Sequence, residues 1–157
     1  MNLVIFLDID GVLNSAAFIL QQTNGEGVTV VDDSFDATAH IDPSRVERLN
    51  RLIADTGASV VLSSSWRLLF GREKTQSSLR QRGFAHELAD ETPRIFGSDR
   101  HVEIKAYLST LTPPVSFVVL DDDEMAGVDL VPHFIHVRDG LEDEHVERAR
   151  RVILGAR

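Results

Sequence analysis

Three clusters of polar residues follow apolar runs in this sequence, and they are the residues best suited to chemistry. The clusters are Asp8-Ile9-Asp10-Gly11 after residues 3–7, Ser63-Ser64-Ser65 after residues 59–62, and Asp121-Asp122-Asp123 after residues 115–120. Several carboxylates that face one small volume raise one another's pKa, and a divalent cation relieves their repulsion. Because the chain has no cysteine and the ligands would be oxygens, the pattern favours Mg²⁺ over zinc.

The alternative is that these aspartates only shape the backbone, since Asp at the end of a strand is a common turn former and helix cap. For Asp121, Asp122 and Asp123 taken alone, the two interpretations carry equal weight. The first cluster is more specific, because Asp8 and Asp10 alternate along the chain and a glycine then permits a tight turn.

The elements that must position these clusters are strands. The three apolar runs are short and rich in branched residues, which is typical of parallel strands buried on both faces. Residues 133–137 predict an edge strand, and another strand is expected near 85–89. Ligands of open parallel sheets bind beyond the carboxyl ends of the strands, so the three clusters should meet at one edge of the sheet.

Helical patterns lie between the strands. Asp42 can cap a helix that starts at Pro43 and ends at Gly57. Further helices are predicted near 73–82, 100–110 and 142–154. Alternating strands and helices over 157 residues predict an α/β fold, a Rossmann-like three-layer sandwich with a mostly parallel central sheet in a single domain, 1–157.

Residues 14–41 form an unusually long connection after the first strand. A connection of that length is usually functional or disordered, and we expect a small flap with a hairpin near Val28–Val31. No helical cap fits between residues 83 and 115, so no large cap domain is expected.

Four motifs carry a resemblance to a known family. DIDGVL at 8–13 resembles the first motif of the haloacid dehalogenase-like (HAD) phosphohydrolases. More narrowly, the sequence resembles the HAD domain of the Swiss Army Knife RNA repair proteins at four places: FLDIDGVLN (6–14), VLSSSWR (61–67), TPR (92–94) and VLDDD (119–123). The resemblance spans nearly the whole chain, and it implies a HAD-like fold and phosphatase chemistry.

The resemblance implies a role for each matching residue. Asp8 would attack phosphorus and form an aspartyl-phosphate, while Mg²⁺ holds the incoming phosphate. Asp10 would protonate the leaving oxygen and then activate water, and its backbone carbonyl would contact the metal.

The second and third clusters would bind phosphate and metal. Ser63 would hydrogen-bond a phosphate oxygen, with the N–H of Ser64 nearby. By the superfamily's pattern Asp122 completes the metal shell ahead of Asp121, and Asp123 serves only as a cap.

A cation should screen the transferred charge, and two residues compete for this role. Arg100 is favoured because it lies at a predicted helix start, while Lys105 has the superfamily's residue type but comes a turn later. Arg67 either grips a second phosphate or forms a surface ion pair. Trp66 either stacks on a base or, as we favour, packs in the core.

The net charge of the chain limits which partners it is expected to bind. The net charge of −9 argues against strong nonspecific binding to nucleic acid, but residues 66–105 carry +2 and could capture an anion weakly. The partner is therefore expected to be a phosphorylated substrate, and an open site with this resemblance makes a phosphorylated RNA or DNA end the first choice. The apolar run at 3–7 is too short for a membrane span or signal peptide, so a soluble, cytoplasmic protein is expected.

Other functions stay open at this point. The same chemistry would serve a phosphatase of small phosphomonoesters or a phosphotransferase. A receiver-like signalling module would need an acceptor Asp after a middle strand, and no such Asp follows a convincing strand between 14 and 62. A silent binding domain with this fold is a further alternative. The sequence does not determine the oligomeric state.

Overall fold

A parallel sheet forms the centre of the protein in a computed structural model that describes residues 2–26 and 36–155. Its strands are β1 (Asn2–Leu7), β2 (Ser59–Leu62), β3 (Leu88–Glu91), β4 (Val115–Asp121) and β5 (Phe134–His136). They pair in the order β3-β2-β1-β4-β5, and every pair is parallel. The clearest apolar run, β1, is therefore the middle strand, buried on both faces as expected.

The register of the three central strands aligns their carboxyl ends. Leu7 lies opposite both Leu62 and Leu120, so the next residue of each strand enters the same row. Two backbone hydrogen bonds continue this alignment: Asp8 N–H donates to Leu120 O at 3.0 Å, and Ser63 N–H donates to Leu7 O at 2.9 Å. The three polar clusters thus begin at one edge of the sheet.

Helices cover both faces of the sheet. They are α1 (Ala16–Gln22), α2 (Pro43–Thr56), α3 (Trp66–Leu69), α4 (Arg72–Gln81), α5 (Arg100–Leu108) and α6 (Asp143–Leu154), with 3₁₀ helices at Ala37–His40 and Glu124–Gly127. Alternate residues of β1 serve two cores: Ile5 and Leu7 pack in the core that includes α2 and α6, whereas Val4 and Phe6 pack with Ile104 of α5. The expected three-layer, Rossmann-like α/β fold is confirmed.

Two local predictions need correction. The strand expected at 85–89 lies at Leu88–Glu91, and only one of its four residues is buried. This strand is at the edge of the sheet and has one neighbour, so little apolar sequence is needed and the pattern that would locate it is weak. The 14–41 connection contains α1, which the sequence analysis did not predict; its N-cap is Ser15, whose side chain accepts from Phe18 N–H, and none of its residues is buried. The hairpin expected near Val28–Val31 falls outside the described residues.

The described part of the 14–41 connection holds only α1 and one 3₁₀ helix, and α5 between residues 83 and 115 belongs to the sandwich layers. Across the described residues, no helix combines the length and the apolar character that a membrane crossing requires.

Candidate active site

Three aspartate side chains converge beyond the ends of β1 and β4. One carboxylate oxygen from each of Asp8, Asp121 and Asp122 lies within 4.8 Å of the other two. Asp8 and Asp121 are 3% and 0% exposed, whereas Asp122 is exposed. This arrangement follows from the register of the strands, which delivers Asp8 and Asp121 to neighbouring positions.

Arg100 joins two of these carboxylates. Its Nη1 atom lies 3.1 Å from Asp8 Oδ2 and 2.5 Å from Asp121 Oδ2. Asp121 is fixed further because its Oδ1 accepts a hydrogen bond from Asp123 N–H at 2.9 Å. Burial alone would lower the pKa of Arg100, but Asp8 and Asp121 raise it by more, so Arg100 stays charged.

The pKa values of the three carboxyl groups in the acidic cluster are raised. Burial, with a contribution from Asp121, raises the pKa of Asp8 from 3.8 to about 7, although Arg100 opposes the shift. Burial also raises the pKa values of Asp121 and Asp122. One arginine therefore does not neutralise three carboxylates, and a cluster of buried and exposed oxygens at this spacing fits a hard divalent cation such as Mg²⁺.

Gly11 allows Asp122 to reach the cluster. The backbone φ of Gly11 is +75°, a conformation that favours glycine, and a Cβ atom built there would lie only 2.5 Å from Asp122 Cγ. The Gly11 N–H also donates to Asn14 Oδ1 at 2.7 Å, which closes the turn after β1. The glycine in the DIDGVL motif thus serves both the turn and the close approach of the third carboxylate.

Two hydrogen-bond donors bind the Asp10 carboxylate, which is not one of the three converging carboxylates. Its Oδ1 accepts from Asn14 Nδ2 at 2.9 Å, and its Oδ2 accepts from Trp66 Nε1 at 3.0 Å. Asp10 is exposed whereas Asp8, two residues earlier, is buried. Two carboxylates in such different surroundings can take different roles in one reaction.

The two serines of the second cluster differ in their contacts. The Ser64 hydroxyl hydrogen-bonds the Asp8 carboxylate and lowers its pKa, and Ser64 Oγ also accepts from Trp66 N–H at 3.2 Å. Ser63 is 0% exposed, and its Oγ has no hydrogen-bond partner among the described residues. Of the two side chains, only that of Ser64 contacts the predicted nucleophile, whereas Ser63 is joined to β1 by its backbone N–H.

A family model described as the HAD domain in Swiss Army Knife RNA repair proteins matches residues 4–146, which include all three clusters and the cation. The chain belongs to this family. The resemblance inferred from DIDGVL and the three further motifs is thereby confirmed. A comparison with curated proteins finds no match. Membership supports a phosphohydrolase of the HAD type, and the acidic cluster offers three carboxylates that could hold a metal ion.

The structure separates the two candidate cations of this HAD domain. Arg100 reaches the acidic cluster, whereas Lys105 Nζ pairs with Asp129 Oδ2 at 3.0 Å, and this second ion pair lies at the surface. Both residues lie on α5, but Lys105 comes five positions after Arg100, which places it more than one helical turn further from the start of the helix. The structure thus places Arg100, and not Lys105, at the acidic cluster, and the catalytic role of Arg100 stays a prediction.

Arg67 forms a buried ion pair, which neither of the two sequence-based alternatives, a second phosphate contact or a surface ion pair, anticipated. Arg67 is 7% exposed and its Nη2 lies 2.5 Å from Glu103 Oε2. Its other N–H groups donate to the carbonyl oxygens of Ser63, Ser64 and Thr92 at 2.8 to 3.0 Å. With four acceptors in place, Arg67 holds the serine segment of the HAD domain and is not placed to grip a second phosphate.

Two more predicted residues have structural roles. Trp66 packs in the core, as favoured, with its ring 5.1 Å from that of Phe70. Asp123 is the N-cap of the following 3₁₀ helix, where its side chain accepts from Met125 N–H at 2.9 Å. Sequence reasoning missed Asn14 and the indole N–H as partners of Asp10. The spacing of Asn14, four residues after Asp10 and just past a glycine turn, was the available signal.

Proposed function

We propose that this HAD domain is a Mg²⁺-dependent phosphatase that works through an aspartyl-phosphate on Asp8 and acts on phosphorylated ends of RNA or DNA. One observation carries the proposal: a buried carboxylate bound to Arg100 lies two residues before an exposed carboxylate, Asp10, that has its own hydrogen-bond donors. This pairing suits a nucleophile and a general acid that act in sequence.

In the first step an Asp8 carboxylate oxygen forms a bond to phosphorus as the bond from phosphorus to the leaving oxygen breaks. The leaving oxygen takes a proton from the Asp10 carboxyl group, which acts as the general acid. In the second step Asp10, now ionised, takes a proton from water, and the resulting oxygen nucleophile attacks phosphorus and releases Asp8. Asn14 and Trp66 keep the Asp10 carboxylate oriented through both steps.

Asp8, Asp122 and the backbone carbonyl of Asp10 are the groups we assign to Mg²⁺, because Asp121 is already bound to Arg100 and to a backbone N–H. When bound, Mg²⁺ would neutralise the negative charge between phosphate and nucleophile. Arg100, which already contacts Asp8, would stabilise negative charge on the transferred group. Of the serines, Ser64 already hydrogen-bonds Asp8 through its hydroxyl, and the buried Ser63 hydroxyl has no partner within the part of the chain that the structure describes.

The preference for a polynucleotide end has two supports. The described residues contain no large cap over the site, and the family model is described for RNA repair proteins. A small phosphomonoester would fit the same residues, so it is the second candidate function.

The test compares phosphate release from RNA and DNA bearing 3′ or 5′ phosphates and from glycerol phosphate, with Mg²⁺ or with EDTA. We expect Mg²⁺-dependent release, better kcat/KM on the oligonucleotides, and a hydroxylamine-sensitive phosphorylated protein after rapid quenching. Asp8→Asn should abolish both release and labelling. Asp55→Asn, the same change at an exposed position of α2, serves as the matched control.

Full activity of Asp8→Asn would exclude the proposed nucleophile. Turnover of glycerol phosphate alone would favour the second candidate. A phosphorylated Asp8 that persists without turnover would point to a signalling module instead.

A further inference from the structure

A groove next to the acidic cluster has no role in the chemistry described so far. It encloses about 350 Å³, and Arg100 forms part of its wall. Its other walls include Leu68 of α3 and the segment Arg94–Ser98, which connects β3 to α5. A group bound in this groove would therefore lie beside a phosphate that contacts Arg100.

The segment presents an aromatic ring to this groove and, beside the ring, an arginine that pairs with no acidic residue described in the structure. Phe96 is 92% exposed, and the guanidinium carbon of Arg94 lies 6.0 Å from the centre of its ring. Arg94 is exposed and forms no hydrogen bond or ion pair with any residue in 2–26 or 36–155. Leu68, 48% exposed, adds a second apolar surface to the groove.

The ring is exposed because a tight turn holds it outward. Ser98 N–H donates to Ile95 O at 3.1 Å, the Ser98 hydroxyl donates to the same oxygen at 2.8 Å, and Gly97 has a φ of +76°. Phe96 lies at the tip of this turn. Local sequence thus directs a large apolar side chain into solvent, where it gains nothing for folding.

A buried network ties the turn to the catalytic serines. Ile95 N–H donates to Glu103 Oε1 at 2.9 Å, and Glu103 Oε2 pairs with Arg67. Arg67 in turn holds the carbonyl oxygens of Ser63 and Ser64. The position of Phe96 relative to the phosphate site is therefore set by hydrogen bonds rather than left to a free loop.

We propose that Phe96 and Arg94 bind the nucleotide that carries the phosphate, with its base stacked on the Phe96 ring and Arg94 paired with a neighbouring backbone phosphate. An exposed ring beside an unpaired arginine is the combination that binds single-stranded nucleic acid without reading its sequence. The proposal rests on the proposed function, since it names the part of the substrate that this groove holds, and it explains how a chain with a net charge of −9 can take a polyanion at one place.

The first experiment measures binding, so that it does not depend on turnover. Fluorescence anisotropy of a short labelled RNA with a terminal phosphate is followed with protein carrying Asp8→Asn, alone and with Phe96→Ala or Arg94→Ala added. Loss of one stacked base should weaken binding by roughly fivefold to a hundredfold, and Phe96→Tyr should restore it. Leu154→Ala and Arg148→Ala are the matched controls, as both change exposed positions of α6.

The ligand provides a second control. If the terminal nucleotide is abasic, Phe96→Ala should no longer weaken binding, whereas Arg94→Ala should still do so. Equal loss on both RNAs would show that Phe96 does not stack on the base and would overturn the proposal. Equal affinity for a phosphopeptide would overturn it as well, because it would remove the preference for nucleic acid.

Kinetics separates this proposal from the proposed function. With otherwise wild-type protein, Phe96→Ala should lower the ratio of kcat/KM for RNA to kcat/KM for glycerol phosphate, through KM. An unchanged ratio would overturn the proposed stacking on Phe96 without contradicting the proposed phosphatase activity. If the protein binds RNA through Phe96 but releases no phosphate, the proposed phosphatase activity is refuted and the proposed binding of a nucleotide in the groove is supported.

Discussion

Asp8→Asn should stabilise the metal-free protein while it removes activity. The folded protein raises the pKa of Asp8 from 3.8 to about 7, chiefly by burial. Between these two values the folded state holds more protons than the unfolded state, so the contribution of Asp8 to stability falls as the pH rises from 4 to 7. Above pH 7 the carboxylate is ionised in both states, and its full burial cost is present.

The expected size follows from the same shift. A difference of about 3 pKa units corresponds to about 4 kcal/mol at pH 8, and the same linkage leaves about 2 kcal/mol at pH 5. Asparagine has nearly the same shape as the protonated acid and no charge. For a domain of this size each kcal/mol moves Tm by roughly 2–4 °C, so we expect Asp8→Asn to melt at least several degrees higher at pH 8.

The assay is thermal unfolding in EDTA at pH 5 and pH 8, followed by far-UV circular dichroism. Asp55→Asn should change Tm little and equally at both values, because Asp55 is exposed. Added Mg²⁺ should raise Tm of the wild type more than that of Asp8→Asn, since the ligand set is broken in the variant. A variant that is less stable than wild type at pH 8, or an advantage that does not shrink at pH 5, would refute the reasoning.

Three further variants test individual contacts. Trp66→Phe removes the indole donor to Asp10, the proposed general acid, so kcat should fall roughly ten- to a hundredfold with little change in KM; equal kinetics would exclude the positioning role. Gly11→Ala should reduce the rise in Tm that Mg²⁺ produces more than Gly57→Ala does. Both glycines have a positive φ, but only a Cβ at Gly11 would collide with a carboxylate, that of Asp122. Arg100→Met should lower phosphate release at least about a hundredfold, whereas Lys105→Met should stay near wild type, and a reversed order would contradict the assignment of the cation.

Local sequence determined the strands and most of the helices. Buried parallel strands need continuous apolar runs, and β1, β2 and β4 carry them. Asp42, Pro43 and Gly57 mark the ends of α2 because capping depends on residues next to one another in the chain. By contrast, α1 buries no side chain and β3 has one buried residue, so neither carries a strong periodic signal.

The motifs also determined that Asp8 and the 121–123 cluster belong to one site, since parallel strands end at a common edge. Only the tertiary structure decided what the remaining side chains do. In the structure Arg100 contacts the carboxylates and Lys105 pairs with Asp129. Arg67 is buried and donates hydrogen bonds to carbonyl oxygens. Such partners are far apart in the chain. Strand register and helix rotation decide which donor meets which acceptor, and neither can be read from residue types and their spacing.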